Sequence, residues 1–255
     1  MPRGEFDMPQ PDALTPEKCA RKIDAAGSIA VLTGAGMSTA AGVPDFRGPK
    51  GLYVTRAYDP ETVFEINYFD NNPEPFYRFS RDFLAMLSAI TPTFTHRFLV
   101  KLESMGKNIT VITQNIDGLH QKAGSKKVLP VHGDYESAHC RRCPYGCSGE
   151  DLRRMLQDDG IPTCPECGGV IKPDVVFFGE NVKHMEKACD VAQRSTLMLV
   201  LGSSLQVYPA AGLPSYAGGE ILAVNLGPIG LRPDKRTHIV EANLDDYFMA
   251  VNQAL

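Results

Sequence analysis

Ser28-Ile29-Ala30-Val31-Leu32-Thr33-Gly34-Ala35-Gly36-Met37-Ser38-Thr39-Ala40-Ala41-Gly42-Val43-Pro44-Asp45-Phe46-Arg47-Gly48-Pro49 is the stretch that decides the fold. Ile29 to Leu32 is a short, continuous apolar run, read as a strand buried on both faces. Thr33 ends it, and Gly34-Ala35-Gly36 then allows a tight turn whose backbone N–H groups approach a phosphate closely. Met37 to Ala41 reads as the first turn or two of a helix facing that phosphate. The dinucleotide fingerprint wants a third glycine where Thr39 stands, and an acidic residue at the end of a second strand. Asp59 and Glu61 lie near the right distance with no strand before them. The stretch therefore predicts a phosphate-binding strand–turn–helix and argues against an ordinary dehydrogenase. Directly after it, Pro44 to Pro49 is a rigid loop carrying an anion, an aromatic ring and a guanidinium, and loops so placed act on a ligand.

Five further apolar runs, at 108–113, 128–131, 174–178, 197–201 and 221–224, end in glycine, amide, hydroxyl or acid residues. Their tips are Gln114-Asn115-Ile116-Asp117, His132-Gly133, Gly179-Glu180, Gly202-Ser203-Ser204 and Asn225-Leu226. Helical patterns separate most of them: one opens at Thr15-Pro16 and stops at Gly27, one spans about 76–90, and one spans 95–105. Six strands interleaved with helices predict an α/β protein with an open, Rossmann-like parallel sheet. Ligands bind such a sheet beyond its carboxyl ends, where the strand order reverses.

The chain has 255 residues, 43% of them hydrophobic and 22% charged, as in ordinary globular proteins. Lys and Arg total 26 against 30 Asp and Glu, so no basic field recruits nucleic acid. The first residues lack the apolar segment of a signal peptide, and no run approaches the roughly 18 apolar residues of a membrane helix. Residues 1–14 read as a loose leader.

Cys140-x2-Cys143 and Cys164-x2-Cys167 have the two-knuckle spacing of a zinc ribbon. Four thiolates fill a tetrahedral Zn²⁺, leaving no open position, so the metal they predict is structural rather than catalytic. A redox disulfide pair is the competing reading, and the spacing favours zinc. Cys147 would replace Cys143 or sit idle, and the x2 symmetry favours idle. Thiolates and an odd total of seven cysteines point to a reducing compartment, by default the cytoplasm. Lys/Arg and Asp/Glu balance across residues 139–172, so this ribbon carries no phosphate footprint.

Taken in order, G-A-G-M-S at 34–38, P-D-F-R at 44–47, T-Q-N-I-D at 113–117, H-G at 132–133, the paired C-x2-C, F-F-G-E at 177–180, G-S-S at 202–204 and V-N at 224–225 resemble the sirtuins. These are NAD-dependent protein lysine deacylases. The resemblance implies a large NAD-binding domain, at 15–55, 96–134 and 173–255, and a smaller domain made of two insertions. The helical insertion would be 56–95 and the zinc module 135–172. NAD and an extended acetyl-lysine protein or peptide would enter the cleft between them. The products would be nicotinamide, free lysine and O-acetyl-ADP-ribose.

By the same resemblance, Gly34, Ala35, Gly36, Ser38 and Thr39 hold the pyrophosphate side of NAD, with Asp45 and the Arg47 clamp. Phe46 covers the ribose face against water. Asn115, Ile116 and Asp117 grip the nicotinamide carboxamide, and Gln114 holds the ribose hydroxyls. His132 is the general base on one of those hydroxyls, a task that suits a neutral imidazole near pH 7. Gly202, Ser203, Ser204, Asn225 and Leu226 meet the adenosine half. Val176 and Phe178 line the acyl-lysine tunnel, while Gly179-Glu180 and Val207-Tyr208 pair with the substrate backbone. One departure bears on the acyl group. Sirtuins that take succinyl-type acids carry Tyr-x-x-Arg in the first insertion, whereas Tyr77 here is followed by Ser80, with Arg81 one place further. A neutral short acyl group such as acetyl follows. Transfer of ADP-ribose to a protein side chain and a non-catalytic NAD- or zinc-binding module are the competing functions.

Overall fold

The computed structural model describes residues 14–45 and 59–255, so Phe46 and Arg47 lie outside the described residues. Strand β1 (Ile29–Thr33) is buried at all five positions. On one side it pairs in parallel with β2 (Ile109–Thr113), which pairs with β3 (Val128–Pro130). On the other it pairs with β7 (Leu197–Leu201), followed by β8 (Glu220–Asn225) and β9 (Thr237–Glu241). The six-stranded order is β3-β2-β1-β7-β8-β9. The chain thus winds outward from β1 and later resumes at its other edge, which puts the reversal of strand order between β1 and β7.

Alternation along β1 explains its continuous apolar character. Ile29 and Val31 join one core, with Ile23 of α1 (Pro16–Ala25), Leu99 of α5 (Phe94–Ser104) and Phe248 of α9 (Leu244–Gln253). Ala30 and Leu32 face the opposite core, with Ala188 and Ala192 of α8 (Met185–Arg194) and Leu213 of the 3-10 helix Ala210–Tyr216. Helices on both faces of a parallel sheet are what makes every strand position apolar. Thr15 caps α1, its Oγ1 accepting from Lys18 N at 3.3 Å, with Pro16 in the first turn, as the sequence predicts. The core already includes Leu14.

A second body carries its own core. Helices α2 (Pro60–Val63), α3 (Ile66–Asn71) and α4 (Glu74–Ala89) supply Val63, Phe69, Phe76, Phe79 and Phe83 to it. The small antiparallel sheet β5-β4-β6 (Gly146–Ser148, Ser137–Cys140, Ile171–Pro173) and α7 (Gly149–Met155) supply Ala138, Ile171 and Leu152. Aromatic rings meet edge to face within it, Phe64 on Phe79 at 5.0 Å and Phe69 on Phe177 at 5.3 Å. The helical and cysteine-bearing segments therefore share one interior. Among the described residues no single helix is long and apolar enough to cross a membrane.

Two sequence expectations change. Residues 174–178 are not a strand of the parallel sheet. Val176 N donates to His132 O at 2.8 Å and Phe178 N to Phe64 O at 2.7 Å, so the segment bridges the two bodies as a single extended strip. Its period of two remains, with Val175 and Phe177 buried in the second core and Val176 and Phe178 facing the cleft. The sixth strand is β9, a half-exposed edge whose polar content gave no apolar run to read. Nor is 37–41 an α-helical start: Ala35–Met37 and Thr39–Ala41 are two separate 3-10 turns, closed by Gly42 at φ 95°.

Candidate active site

The tips of β1, β2, β3, β7, β8 and β9 open on one cleft of about 1420 Å³, whose other wall is 175–180 and 206–209. Of the residues expected to bind ligand, Gly34, Ala35, Gly36, Thr39, Asp45, Gln114, Asn115, Ile116 and His132 line it. So do Gly202, Ser203, Ser204, Asn225 and Leu226 at one end and Val176, Phe178, Gly179, Glu180, Val207 and Tyr208 at the other. Ser38 and Asp117 do not reach its surface. Ser38 is fully buried and its Oγ donates to Asp117 Oδ2 at 2.7 Å, behind the wall.

The glycine turn is shaped first by packing. A Cβ on Gly34 would lie 2.8 Å from Gly202 O, one on Gly36 2.9 Å from Gly202 Cα, and one on Gly202 2.4 Å from Met37 N. Only three bare residues allow the β1 and β7 tips to touch. The N–H groups of Gly34 and Gly36 are spent on Leu201 O and Gly202 O, and those of Met37 and Ser38 on Gly34 O and Ala35 O. A phosphate at this turn would then meet Ala35 and Thr39, which line the cleft. Gly202 also sits at φ 60°, a conformation that opposes a side chain. Gly202→Ala is therefore expected to cost about 3 kcal/mol in chemical denaturation. A loss below about 0.5 kcal/mol would mean that the two tips are free to separate.

His132 is fixed from several sides. Val131 N donates to Thr113 O at 2.9 Å, Lys183 N to Val131 O at 2.9 Å, and Val176 N to His132 O. Gly133 turns the chain at φ 72°, where a Cβ would fall 1.8 Å from Asp174 O. The His132 ring places Nδ1 3.0 Å from Gln114 O. A carbonyl only accepts, so Nδ1 carries the proton and neutral His132 offers its bare Nε2. Burial pushes this imidazole below its ordinary 6.5, against the pull of the Gln114 carbonyl.

Beside it, Gln114 Nε2 donates to Ser203 Oγ at 3.0 Å, joining the β2 and β7 tips. Asn115 Nδ2 donates to Gly34 O at 3.0 Å and Ser38 Oγ at 3.3 Å. Asp117 Oδ1 accepts from Leu119 N at 2.9 Å. Burial raises the Asp117 carboxyl, opposed by its bonds from Leu119 and Ser38. On the far wall Glu180 Oε2 accepts from Phe177 N at 2.9 Å and Lys172 Nζ at 2.8 Å. Lys172, 6% exposed, lies 4.0 Å over the Phe177 ring. Both hydrogen bonds to Glu180 end on Oε2, while Oε1 lies 3.9 Å from Arg141.

Sequence reasoning missed Lys172, and it missed the residues of 241–245 that line the far end of the cleft. Asn243 caps α9 by accepting from Asp246 N at 3.2 Å, and this cap signal was there to find. Asn225 is a surprise of another kind. Its Nδ2 donates to Gly227 O at 3.0 Å and Pro228 O at 3.3 Å, so it shapes the β8 turn that presents Leu226, 74% exposed.

The four predicted cysteines come together, their Sγ atoms all within 4.8 Å of one another. Cys140 and Cys167 are 3.5 Å apart, Cys143 and Cys164 3.6 Å. Zn–S bonds of about 2.3 Å in a tetrahedron put sulfurs roughly 3.8 Å apart, so the set fits Zn²⁺. Arg142 N and Gly169 N point at Cys140 Sγ and Cys167 Sγ, at 3.3 and 3.4 Å, as suits thiolates. Cys147 stays outside the cluster.

Comparison with known proteins agrees with this geometry. The Sir2 family model matches residues 34–209. A Thermotoga maritima protein named NAD-dependent protein deacetylase is 46% identical over 201 residues, 77% of this chain and 80% of that one. A structure of a Sir2 histidine-to-alanine variant with deacetylated p53 peptide and 3'-O-acetyl ADP-ribose superposes with TM-score 0.82 at 38% identity, covering 94% of this chain and 98% of that one. A Sir2–p53 peptide–NAD+ structure gives TM-score 0.81 at 38% identity over 92% and 96% of the two chains. With strand tips, cysteine cluster and family match in agreement, the chain belongs to the Sir2 family.

Proposed function

We propose that this protein is an NAD-dependent protein-lysine deacetylase acting on acetylated proteins or peptides, with a structural Zn²⁺ on Cys140, Cys143, Cys164 and Cys167. The observation that carries the reading is His132: a strand-end imidazole locked in the Nδ1–H tautomer, with basic Nε2 at a cleft shared by the β1, β2 and β7 tips. Bound NAD supplies an ADP-ribosyl group that accepts the acetyl while nicotinamide leaves.

Every other role belongs to the chain. His132 Nε2 takes a ribose hydroxyl proton, and the Gln114 carbonyl holds the charge that the ring then gains. Asn115, Ile116 and Asp117 form the nicotinamide corner, Asp117 acting from behind through Ser38. Ala35 and Thr39 face the pyrophosphate, with Asp45, Phe46 and Arg47 on the loop that follows. Ser203, Ser204, Asn225 and Leu226 take the adenosine end. Val176 and Phe178 line the acyl-lysine entry, and the backbones at Gly179-Glu180 and Val207-Tyr208 flank the peptide. The domain division at 95/96, 134/135 and 172/173 is part of the same reading, with 55/56 outside the described residues; the second core draws mainly on 63–90 and 135–171 but also takes Val43, Leu119, Val175 and Phe177.

A neutral acyl group suits the site. Tyr77 donates its hydroxyl to Ile171 O, and Arg81 donates Nε to Asp158 O at 3.2 Å and a terminal N–H to Gly160 O. Neither side chain is among those lining the cleft, so no cation there meets a second carboxylate from this helix. The free thiols fit a reducing compartment, and we place the enzyme in the cytoplasm on that ground.

Mass spectrometry of an acetyl-lysine peptide with and without NAD tests the reading. Loss of one acetyl group per lysine, with nicotinamide released in equal amount, is expected. Attachment of ADP-ribose to peptide or protein instead would overturn it. The pH profile gives a second test. The base works only when neutral, so kcat/KM rises with pH through the His132 pKa and then levels. Because burial lowers that pKa, the acidic limb should have its midpoint below 6.5. A midpoint above it would place the titrating group elsewhere.

A further inference from the structure

Among the described residues the buried side-chain polar atoms without a hydrogen-bond partner are His96 Nε2, His120 Nδ1 and Ser125 Oγ. Two of these belong to one pair of rings. His96 on α5 and His120 on α6 (Leu119–Ala123) have ring centroids 4.6 Å apart, tilted by 56°, and are 0% and 1% exposed. An unpaired imidazole nitrogen at such a depth is costly, so each needs a partner.

The second nitrogen of each ring fixes its tautomer. Thr93 N donates to His96 Nδ1 at 3.3 Å, with Thr93 Oγ1 at 2.9 Å from the same atom. Only a bare nitrogen accepts an N–H, so neutral His96 carries its proton on Nε2. His120 Nε2 lies 3.1 Å from Thr33 Oγ1, whose own proton is donated to Thr113 Oγ1 at 2.9 Å. Thr33 can then only accept from the ring. His120 Nε2 carries the proton and Nδ1 is bare. One orphan is a donor and the other an acceptor.

We propose that His96 Nε2–H donates to His120 Nδ1, directly or through one shared water, completing a one-way hydrogen-bond chain that positions Asn115. The chain runs from Thr93 through both imidazoles to Thr33 and Thr113. Thr113 Oγ1 also accepts Asn115 N–H at 3.0 Å, and Asn115 Nδ2 reaches Gly34 O and Ser38 Oγ. It therefore ends at the corner assigned above to nicotinamide, and its functional consequence rests on that reading. Polarity is the essential point. A proton added to either ring would set donor against donor and break the series. Burial holds both rings neutral, pushing His96 down to about 4 against the pull of Asp245, and His120 well below its ordinary 6.5. His96 and His120 are positioning residues, since neither lines the cleft.

Imidazole ¹⁵N spectra of the intact protein at pH 7 test the series without reference to activity. Both rings are expected as neutral Nε2–H tautomers. His120 found with its proton on Nδ1, or either ring found charged, would overturn the proposal. Kinetics test the positioning. His120→Gln keeps an N–H for Thr33, whereas His120→Leu keeps none. The leucine variant should lose about tenfold in kcat/KM for NAD, with peptide KM within about twofold of the parent. The glutamine variant should recover most of the loss. Equal damage to NAD and peptide parameters, with no recovery by glutamine, would reduce the pair to a packing role and sink the idea. Should His120→Leu fail to fold, Thr33→Val removes the same acceptor in a nearly equal volume and is read the same way. A parent enzyme that deacetylates nothing would remove the proposed function while the tautomers still decide this inference.

Discussion

Replacing His132 by alanine is expected to lower NAD-dependent deacetylation by about a thousandfold while leaving fold and metal content intact. The magnitude follows from the role. A positioned general base contributes about 10² to 10⁴ in rate, and no second imidazole lines the described cleft to replace it. Stability should change little, because the ring makes one hydrogen bond, to Gln114 O, worth about 1 kcal/mol. The backbone bonds through Val131 and His132 O do not depend on the side chain. Steady-state turnover of an acetyl peptide, with thermal melting of the same preparation, checks both halves. Undiminished turnover would falsify the assignment of the base. Turnover lost together with the melting transition would say instead that His132 holds the fold.

The second large effect is expected at the cysteine cluster. Cys164 is 3% exposed and belongs to the second core, so Cys164→Ser should release the metal and expose that core together. Structural zinc contributes about 10 kcal/mol or more to small metal-dependent folds, which is comparable to the entire stability of a single domain. Loss of the native melting transition of the second body, with poor solubility, is expected. NAD should still bind to whatever fraction keeps the parallel sheet, because the three glycines and the Gln114–Ser203 bond lie in the other body. Peptide binding should fall more, since Phe177 anchors the 175–180 wall in the damaged core. Metal content, melting and separate NAD and peptide titrations measure this. A variant with unchanged stability and abolished turnover would give the zinc a catalytic role.

Much of this architecture was legible because local and global demands agree. Strands covered on both faces have to be apolar throughout, so β1, β2 and β7 stood out. Their glycine, amide and hydroxyl ends marked the side on which a ligand sits. The cysteine cluster was readable from spacing alone, since a tetrahedron of thiolates leaves few arrangements. The roles expected for Gln114, Asn115 and His132 come from family resemblance rather than periodicity, and the geometry adds the His132 tautomer and the partners of all three.

What stayed hidden depended on contacts between residues far apart in the chain. Residues 174–178 look like a sheet strand because alternate side chains enter the second core, and no local signal says which neighbour takes the backbone. β9 is an edge with polar flanks. Gly34 and Gly36 suggested room for a phosphate, yet the group that needs the room is Gly202. Lys172 looked like one charge among many until its Nζ was found on Val175 O at 2.7 Å and on Glu180. His96 and His120 lie on separate helices, and nothing in either segment names the other.

The single interior shared by residues 63–90 and 135–177 restricts how this enzyme can be recombined with its relatives. A chimera exchanging only the metal-binding segment would bring a foreign surface against Phe76, Phe79 and Phe83, while an exchange of only the helices would strand Leu152 and Ile171. Two segments from separate places in the chain must therefore travel as one graft.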